Sequence, residues 1–189
     1  NENRFYEYYF STDNCTTRAK NMIVKNSGEP IIFKAFLSSP PPSFRNLIHV
    51  YLNKNNQPWS KLGIDILLGS NLDKKVSTEQ SMFLPDYLMK GFENAEINGH
   101  SIVSETKTIL NVPDQPKESS TVLTPFIIFS LFALLVLALS FGKNAVIKNM
   151  LNIFDMLFFL ALGLLGVLLL TLWIIRIDDV CRNNFNLLW

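Results

Sequence analysis

The chain has 189 residues, of which 48% are hydrophobic, and its 17 Lys and Arg nearly balance its 16 Asp and Glu. A net charge of +1 leaves no broad basic field to hold a polyanion, which excludes nucleic acid as an expected partner. The two cysteines, Cys15 and Cys181, are too few for a disulfide framework. Their spacing from His49 and His100 matches no metal site, so we expect neither a metal nor another cofactor.

The N-terminal segment predicts a strand that leads into a helix. Residues Arg4 to Phe10 are rich in aromatic side chains and end at a turn-forming Ser-Thr-Asp-Asn sequence. A helix is expected from Cys15 to about Lys25, with Asp13 or Asn14 as its N-cap. Three apolar residues share one face of this helix and are expected to pack on the strand: Ala19, Met22 and Ile23.

The middle of the chain predicts short helices, a hairpin and a tether. Ser43 is expected to cap an amphipathic helix, and residues 59–68 to form a second short helix. Ser77 to Gln80 matches a capping box, and Asn98-Gly99 is a two-residue hairpin signal. Val112 to Ser120 has mixed charges and two prolines, which is typical of a linker.

Two apolar runs follow, Val122 to Phe141 and Met156 to Ile175, and neither contains a charged residue. At ~1.5 Å per helical residue, each run can cover a hydrocarbon core of ~30 Å. Residues 121–176 are therefore predicted to form a transmembrane helical hairpin. The segment from Gly142 to Asp155 is expected to be the link between its two helices.

This division gives a soluble part at 1–111, a linker at 112–120 and a tail at 177–189. The lysines on the two sides of the spans do not decide the orientation.

Cys15 is the residue with the clearest chemical potential. Backbone N–H groups at a helix start have no intrahelical partner and carry partial positive charge, so they stabilise a thiolate. The alternatives are a small buried hydrophobic residue or a disulfide with Cys181. A nucleophilic thiol also needs a base, and neither His49, between apolar neighbours, nor His100, after the hairpin turn, is a convincing one.

Asp65 is an acid inside an otherwise apolar run, residues 62–68. Such an acid can orient a catalytic group, cap a neighbouring helix or pair with an arginine such as Arg18 or Arg45. These alternatives remain open from the sequence.

Five short motifs, in this order along nearly the whole chain, resemble bacterial proteins that have an Lnb-type N-terminal periplasmic domain followed by membrane helices. The motifs are Tyr8-Tyr9-Phe10 to Asp13-Asn14-Cys15-Thr16-Thr17-Arg18, Phe44-Arg45-Asn46-Leu47-Ile48, Gly63-Ile64-Asp65 to Leu68-Gly69, Met82-Phe83-Leu84-Pro85-Asp86-Tyr87-Leu88 and Asn183-Asn184-Phe185-Asn186-Leu187-Leu188-Trp189.

The Asn14-Cys15 pair is also similar to the nucleophile segment of the permuted papain-like superfamily, which includes NlpC-type peptidases and the lecithin:retinol acyltransferase group. The resemblance implies an α+β fold, here a partial papain-like domain that is mostly helical with short strands, plus the membrane hairpin. In that permuted order a Gly-His segment precedes the cysteine. It would lie before Asn1, so we expect residues 1–111 to be the C-terminal part of the domain and the fragment alone to be inactive.

The resemblance further implies acyl transfer to lipoproteins. Cys15 would be the nucleophile, Asn14 would cap and position its helix, and Arg18 would support the oxyanion. The expected partners are membrane lipid and a lipoprotein substrate, with residues 1–120 on the periplasmic side of the bacterial inner membrane. Two alternatives stay open: a cell-wall cysteine peptidase or amidase, and a non-enzymatic periplasmic interaction module.

Overall fold

A computed structural model describes residues 7–110, 123–176 and 179–188 of the chain. It is mostly helical, with one small sheet. The described helices and strands are α1 (Cys15–Asn26), β1 (Ile32–Phe33), α2 (Phe44–Lys54), α3 (Pro58–Leu67), α4 (Thr78–Ser81), α5 (Pro85–Glu93), β2 (Ala95–Ile97), β3 (His100–Ser101), α6 (Pro125–Ser140) and α7 (Ala145–Ile175). Short 3₁₀ turns cover Ser70–Asp73, Asp179–Cys181 and Phe185–Leu188.

The chain divides into two compact units, and the division does not follow the chain order. The first unit comprises Asn1–His49 and Asn71–Pro113, and the second comprises Val50–Ser70 and Asp114–Trp189. Helix α3 therefore belongs to the same unit as α6 and α7. The predicted linker at 112–120 lies wholly outside the described residues.

The sheet in the first unit has the order β1-β2-β3, and both pairings are antiparallel. Asn98 and Gly99 connect β2 to β3 with φ angles of 51° and 80°. Both angles lie in the left-handed region, which an Asn-Gly pair enters at low cost in a two-residue hairpin. The predicted hairpin is confirmed.

The core of the first unit is formed by apolar residues that are at most 2% exposed: Leu47, Leu72, Val76, Met82, Phe83 and Ala95. The ring of Phe83 lies between those of Phe10 and Phe44, with centroid distances of 5.8 Å and 5.5 Å. Capping explains how the surrounding helices start. Ser77 and Gln80 form the predicted capping box of α4, and Ser43 Oγ accepts from the Asn46 amide at 3.2 Å.

Two predictions about the N-terminal segment are wrong. Residues 7–10 form no strand among the described residues, because the Tyr9 and Asp13 backbones bond to each other and close a tight turn. Residues 4–6 lie outside the described part. The face of α1 with Met22 and Ile23 does not pack on a strand, since these side chains are 67% and 48% exposed.

In the second unit α6 has 16 residues and α7 has 31. Thr124 caps α6, and Pro125 occupies its first turn, where the missing amide proton of proline has no intrahelical partner to lose. An 18-residue window of α7 has a mean hydropathy of 2.7, and by length and composition α7 is the one described helix that can cross a membrane. The shorter α6 is also apolar. The two-span hairpin and the papain-like organisation both stay predictions.

The expected link from Gly142 to Asp155 is wrong for most of its length, because α7 already begins at Ala145. Asn144 caps this helix by accepting from the Val146 amide at 3.0 Å. The ring of Phe154 then contacts that of Phe132 in α6, with centroids 5.2 Å apart. The Asn144 cap and this ring contact stabilise the N-terminal part of α7. This part includes Lys148 and Asp155, two charged residues of the predicted link.

Candidate functional site

The start of α1 is fixed by a complete capping box. Asn14 Oδ1 accepts from the Thr17 amide at 2.8 Å, and Thr17 Oγ1 accepts from the Asn14 amide at the same distance. Asn14 was one of the two predicted caps, and it is the cap that the structure shows. Because both side chains are held by the backbone, the first turn of α1 has one defined geometry.

The same asparagine ties the helix start to the core of the first unit. Asn14 Nδ2 donates to the carbonyl oxygens of Phe10 and Phe83, both at 2.9 Å. Asn14 is only 5% exposed and Phe83 only 1%. Breaking the bond to Phe83 would leave a buried carbonyl without its donor, which costs about 1–3 kcal/mol. Asn14 therefore links the start of α1 to the buried core of the first unit.

That residue is Cys15, the first residue of α1, and its thiol is free and exposed. The nearest described polar partner of Sγ is Thr16 Oγ1, at 3.9 Å. Asn14 accepts the Thr17 amide through Oδ1 and the Arg18 amide through its carbonyl oxygen. No bond from the amides of Cys15 and Thr16 is found among the residues the structure describes. These two amides remain available to an anion at the helix start.

Arg18, expected to support an oxyanion, forms a bidentate ion pair with Asp13. Its Nε lies 2.7 Å from Asp13 Oδ1, and its Nη2 donates to Oδ2 at 2.8 Å. The hydrogen bonds from this guanidinium lower the pKa of the Asp13 carboxyl below its ordinary value of 3.8. This ion pair stabilises the turn before Cys15. If Arg18 also stabilised an oxyanion, its positive charge would act on the Asp13 carboxylate and on the oxyanion at the same time.

Cys15 shares one face of α1 with Ala19, Met22 and Ile23, and we call these four residues the apolar stripe. Every member of the stripe is exposed. A cavity of about 530 Å³ on the other side of α1 is lined by Thr17, Lys20 and Asn21 together with polar residues near α4, but not by Cys15. The thiol is therefore exposed on the apolar face of α1 and does not line the polar cavity.

The other candidates are dispersed. His49 is half-buried on α2, and His100 is exposed on β3. Among the described residues no group of three or more His, Cys, Asp or Glu side chains could hold a metal ion. Cys15 and Cys181 are both free thiols, and Cys181 is buried. Arg18 pairs with Asp13, and Arg45 pairs with Asp73.

Sequence reasoning missed a cluster in the second unit. Asn184 Nδ2 donates to the Ile66 carbonyl at 2.7 Å, and Asn186 Nδ2 donates to the Asp65 carbonyl at 3.0 Å. Asn184 is 1% exposed and uses its Oδ1 to accept from the Asn186 amide. The two asparagines, which we call the asparagine cluster, satisfy carbonyl groups that the C-terminal turn of α3 leaves open.

The chain next to this cluster is held by backbone bonds. The Gly69 amide donates to the Val180 carbonyl at 2.7 Å, and the Ser70 amide to the Asn183 carbonyl at 3.1 Å. A Cβ on Gly69 would lie 1.8 Å from the Arg182 carbonyl oxygen, so only glycine fits. Two of the motifs quoted for the family resemblance therefore bind each other.

Residues 117–189 match the family model of the Lnb transmembrane domain. No curated protein and no solved structure matches the chain. The match covers α6, α7 and the asparagine cluster, and it supports an Lnb-type membrane family. Together with the apolar length of α7, it indicates a membrane protein.

Proposed function

We propose that this chain, on the premise of an Lnb-type membrane family, is part of a membrane-anchored thiol acyltransferase in which Cys15 is the nucleophile. One observation carries the proposal: the thiol is exposed at the first position of a helix whose start is fixed by Asn14. A cysteine that served only as a packing residue would be buried, as free cysteines commonly are. The substrates would be lipoproteins or lipids at the outer face of the cytoplasmic membrane, with residues 1–120 on that side.

The first half-reaction moves an acyl group to sulfur. A base takes the thiol proton of Cys15, and the thiolate attacks the ester carbonyl of a diacylglyceryl group. The new C–S bond forms, the ester C–O bond breaks, and the leaving alkoxide takes the proton from the base. The base in this scheme is the upstream histidine that the resemblance implies.

The second half-reaction passes the acyl group to an amine. The α-amine of a lipoprotein's N-terminal cysteine attacks the thioester, so that a C–N bond forms and the C–S bond breaks. The proton lost by the amine returns to sulfur through the same base. Cys15 is then regenerated, and atoms and charge balance over the two steps.

Both half-reactions pass through a tetrahedral oxyanion next to Sγ. The Cys15 and Thr16 amides are the proposed donors to it, because the other first-turn amides already bond to Asn14. Arg18 is assigned a weaker, charge-supporting role because Asp13 already engages it. Asn14 positions the nucleophile and does not touch the reacting atoms.

An interaction module is the second candidate, and the apolar stripe favours it. A helix face with Met22 at 67% and Ile23 at 48% exposure is a surface that another protein element could cover. A cell-wall peptidase or amidase would use the same thiol on a soluble peptide. An anchor in the membrane favours a substrate that partitions into lipid, because both are then confined to one surface.

The experiment is intact-protein mass spectrometry on the full-length protein taken directly from its native membrane. The proposal expects a fraction of the protein to carry one fatty-acyl mass, removable by neutral hydroxylamine because thioesters are labile to it. Cys15→Ser should lose this hydroxylamine-labile adduct, whereas the matched variant Cys181→Ser should keep it. A protein with no labile acyl adduct, or one whose adduct persists in Cys15→Ser, would contradict the proposal.

A further inference from the structure

A groove runs between α3 and α6, both in the second unit, and encloses about 640 Å³. Helix α3 contributes Lys61, Leu62 and Asp65 to its lining. Helix α6 contributes Phe126, Phe129 and Ala133. The α6 wall is mostly apolar, with Thr124 and Ser130 as its polar residues, and the α3 wall carries two charged groups one helical turn apart.

The apolar wall belongs to the segment that matches a transmembrane domain. Phe126 and Phe129 are 81% and 56% exposed there, which is a suitable arrangement for side chains in contact with lipid tails. Phe126 and Phe129 also line the groove, so the groove is continuous with this exposed surface. A lipid acyl chain that covers the outside of α6 can therefore enter the groove.

Trp59 fixes the position of α3 relative to α6. Its indole Nε1 donates to the Leu123 carbonyl at 3.0 Å, and its ring centroid lies 6.2 Å from that of Phe129. An indole that is bonded at its polar edge and packed on its apolar face is typical of the membrane–water boundary. The groove therefore opens at the level where lipid headgroups lie.

We propose that this groove binds a membrane glycerophospholipid with a zwitterionic amine headgroup. One acyl chain lies along Phe129 and Ala133, and the phosphate sits at Lys61. The Lys61 ammonium uses one donor on Asn53 Oδ1, at 3.4 Å, and has further donors for a phosphate. The Asp65 carboxylate, on the same rim, matches the headgroup ammonium and disfavours a headgroup with net negative charge. This assignment concerns a second site and does not depend on whether Cys15 is a nucleophile.

The test reconstitutes the full chain in nanodiscs with phosphatidylethanolamine that carries a photoactivatable acyl chain. We expect crosslinks on α6 residues that line the groove, mapped by mass spectrometry. Ser130→Trp fills the groove and should abolish them. Its matched control is Leu131→Trp, at the same depth on an exposed position outside the groove, which should leave them unchanged.

The headgroup assignment is tested by competition at the same crosslink. Unlabelled phosphatidylethanolamine should compete better than diacylglycerol with the same chains, by about fivefold, since a lysine near a headgroup contributes about 1 kcal/mol. Lys61→Gln should remove this difference between the two competitors, whereas Lys61→Arg should retain it. The control Lys143→Gln, which lies after the C-terminal end of α6, should leave the difference unchanged.

Crosslinks spread evenly along α6 would contradict lipid binding in the groove. A crosslinking yield that Ser130→Trp leaves unchanged would also contradict it. If diacylglycerol competes as well as phosphatidylethanolamine in the unsubstituted protein, the placement of the phosphate at Lys61 is wrong. Equal competition by phosphatidylglycerol would overturn the role given to Asp65. A Cys15→Ser protein should give the same crosslinks, which separates this inference from the proposed transferase.

Discussion

Replacing Gly69 with alanine should detach the C-terminal segment from the end of α3. The new Cβ would meet the Arg182 carbonyl oxygen at 1.8 Å, whereas real Cβ contacts essentially never fall below 3.0 Å. The two backbones must therefore move apart by about 1.2 Å, the difference between these two distances. That displacement exceeds what the bonds from the Gly69 and Ser70 amides, at 2.7 Å and 3.1 Å, can absorb.

The magnitude follows from the bonds that are lost. Two backbone hydrogen bonds contribute about 1 kcal/mol each, and a buried group left without a partner adds about 1–3 kcal/mol. We therefore expect the free energy of local opening to fall by about 3–5 kcal/mol, which raises the open population roughly 160- to 4,800-fold.

The assay is limited trypsin digestion of the full-length protein in detergent micelles, with cleavage after Arg182 as the readout. When opening is fast, the cleavage rate follows the population of the open state. The matched control is Gly63→Ala in α3, where an added Cβ meets nothing within 4 Å. Since alanine is the better helix former by about 1 kcal/mol, this control should not accelerate cleavage. Equal cleavage of Gly69→Ala and the unsubstituted protein would refute the reasoning.

Two further predictions concern the start of α1. Asn14→Ala should destabilise the first unit by about 2–4 kcal/mol in denaturant unfolding, because it removes the cap and leaves the Phe83 carbonyl without its donor. Asn14→Asp, which keeps the acceptor but loses the donor, should lie between Ala and the unsubstituted protein, and equal stability of all three would contradict this role. The lowered pKa of Asp13 makes its pairing with Arg18 stabilising above pH 3.8, and this contribution is lost as the pH falls through the folded-state pKa below that value. Asp13→Asn should abolish this acid-dependent loss of stability in an acid-unfolding curve. A curve identical to that of the unsubstituted protein would contradict the prediction.

Local signals in the sequence predict the helix starts well. The capping patterns at Asn14, Ser43 and Ser77 and the Asn98-Gly99 turn all form as expected. Each cap depends on a side chain that bonds to the backbone within three residues, and the turn depends on the positive φ angles that Asn98 and Gly99 adopt, so a short window of sequence contains the cause of each.

Features that depend on distant partners could not be predicted in this way. The apolar face of α1 was expected to be buried because it is apolar, but exposure is set by what the rest of the chain brings to it. The asparagine cluster was missed since Asn184 bonds to a backbone carbonyl 118 residues away, and a carbonyl has no sequence signature. The charge-free run predicts only the apolar part of α7, because its N-terminal turns contain Lys148 and Asp155 and are specified by the Asn144 cap.

The candidate site was predicted in part. Cys15 at the first position of a capped helix follows from the sequence, whereas the pairing of Arg18 with Asp13 does not. The catalytic roles of Cys15, Asn14 and Arg18 stay predictions.

The most direct test of the central claim is alkylation of the full-length protein in its native membrane at neutral pH. An exposed thiol at a helix start should react with iodoacetamide rapidly in the folded protein, while Cys181, at 7% exposure, should react only after denaturation. Faster labelling of Cys15 than of Cys181, lost in Cys15→Ser, is the expected result. If Cys15 reacts as slowly as Cys181 until the protein unfolds, it is not an accessible nucleophile and the account is contradicted.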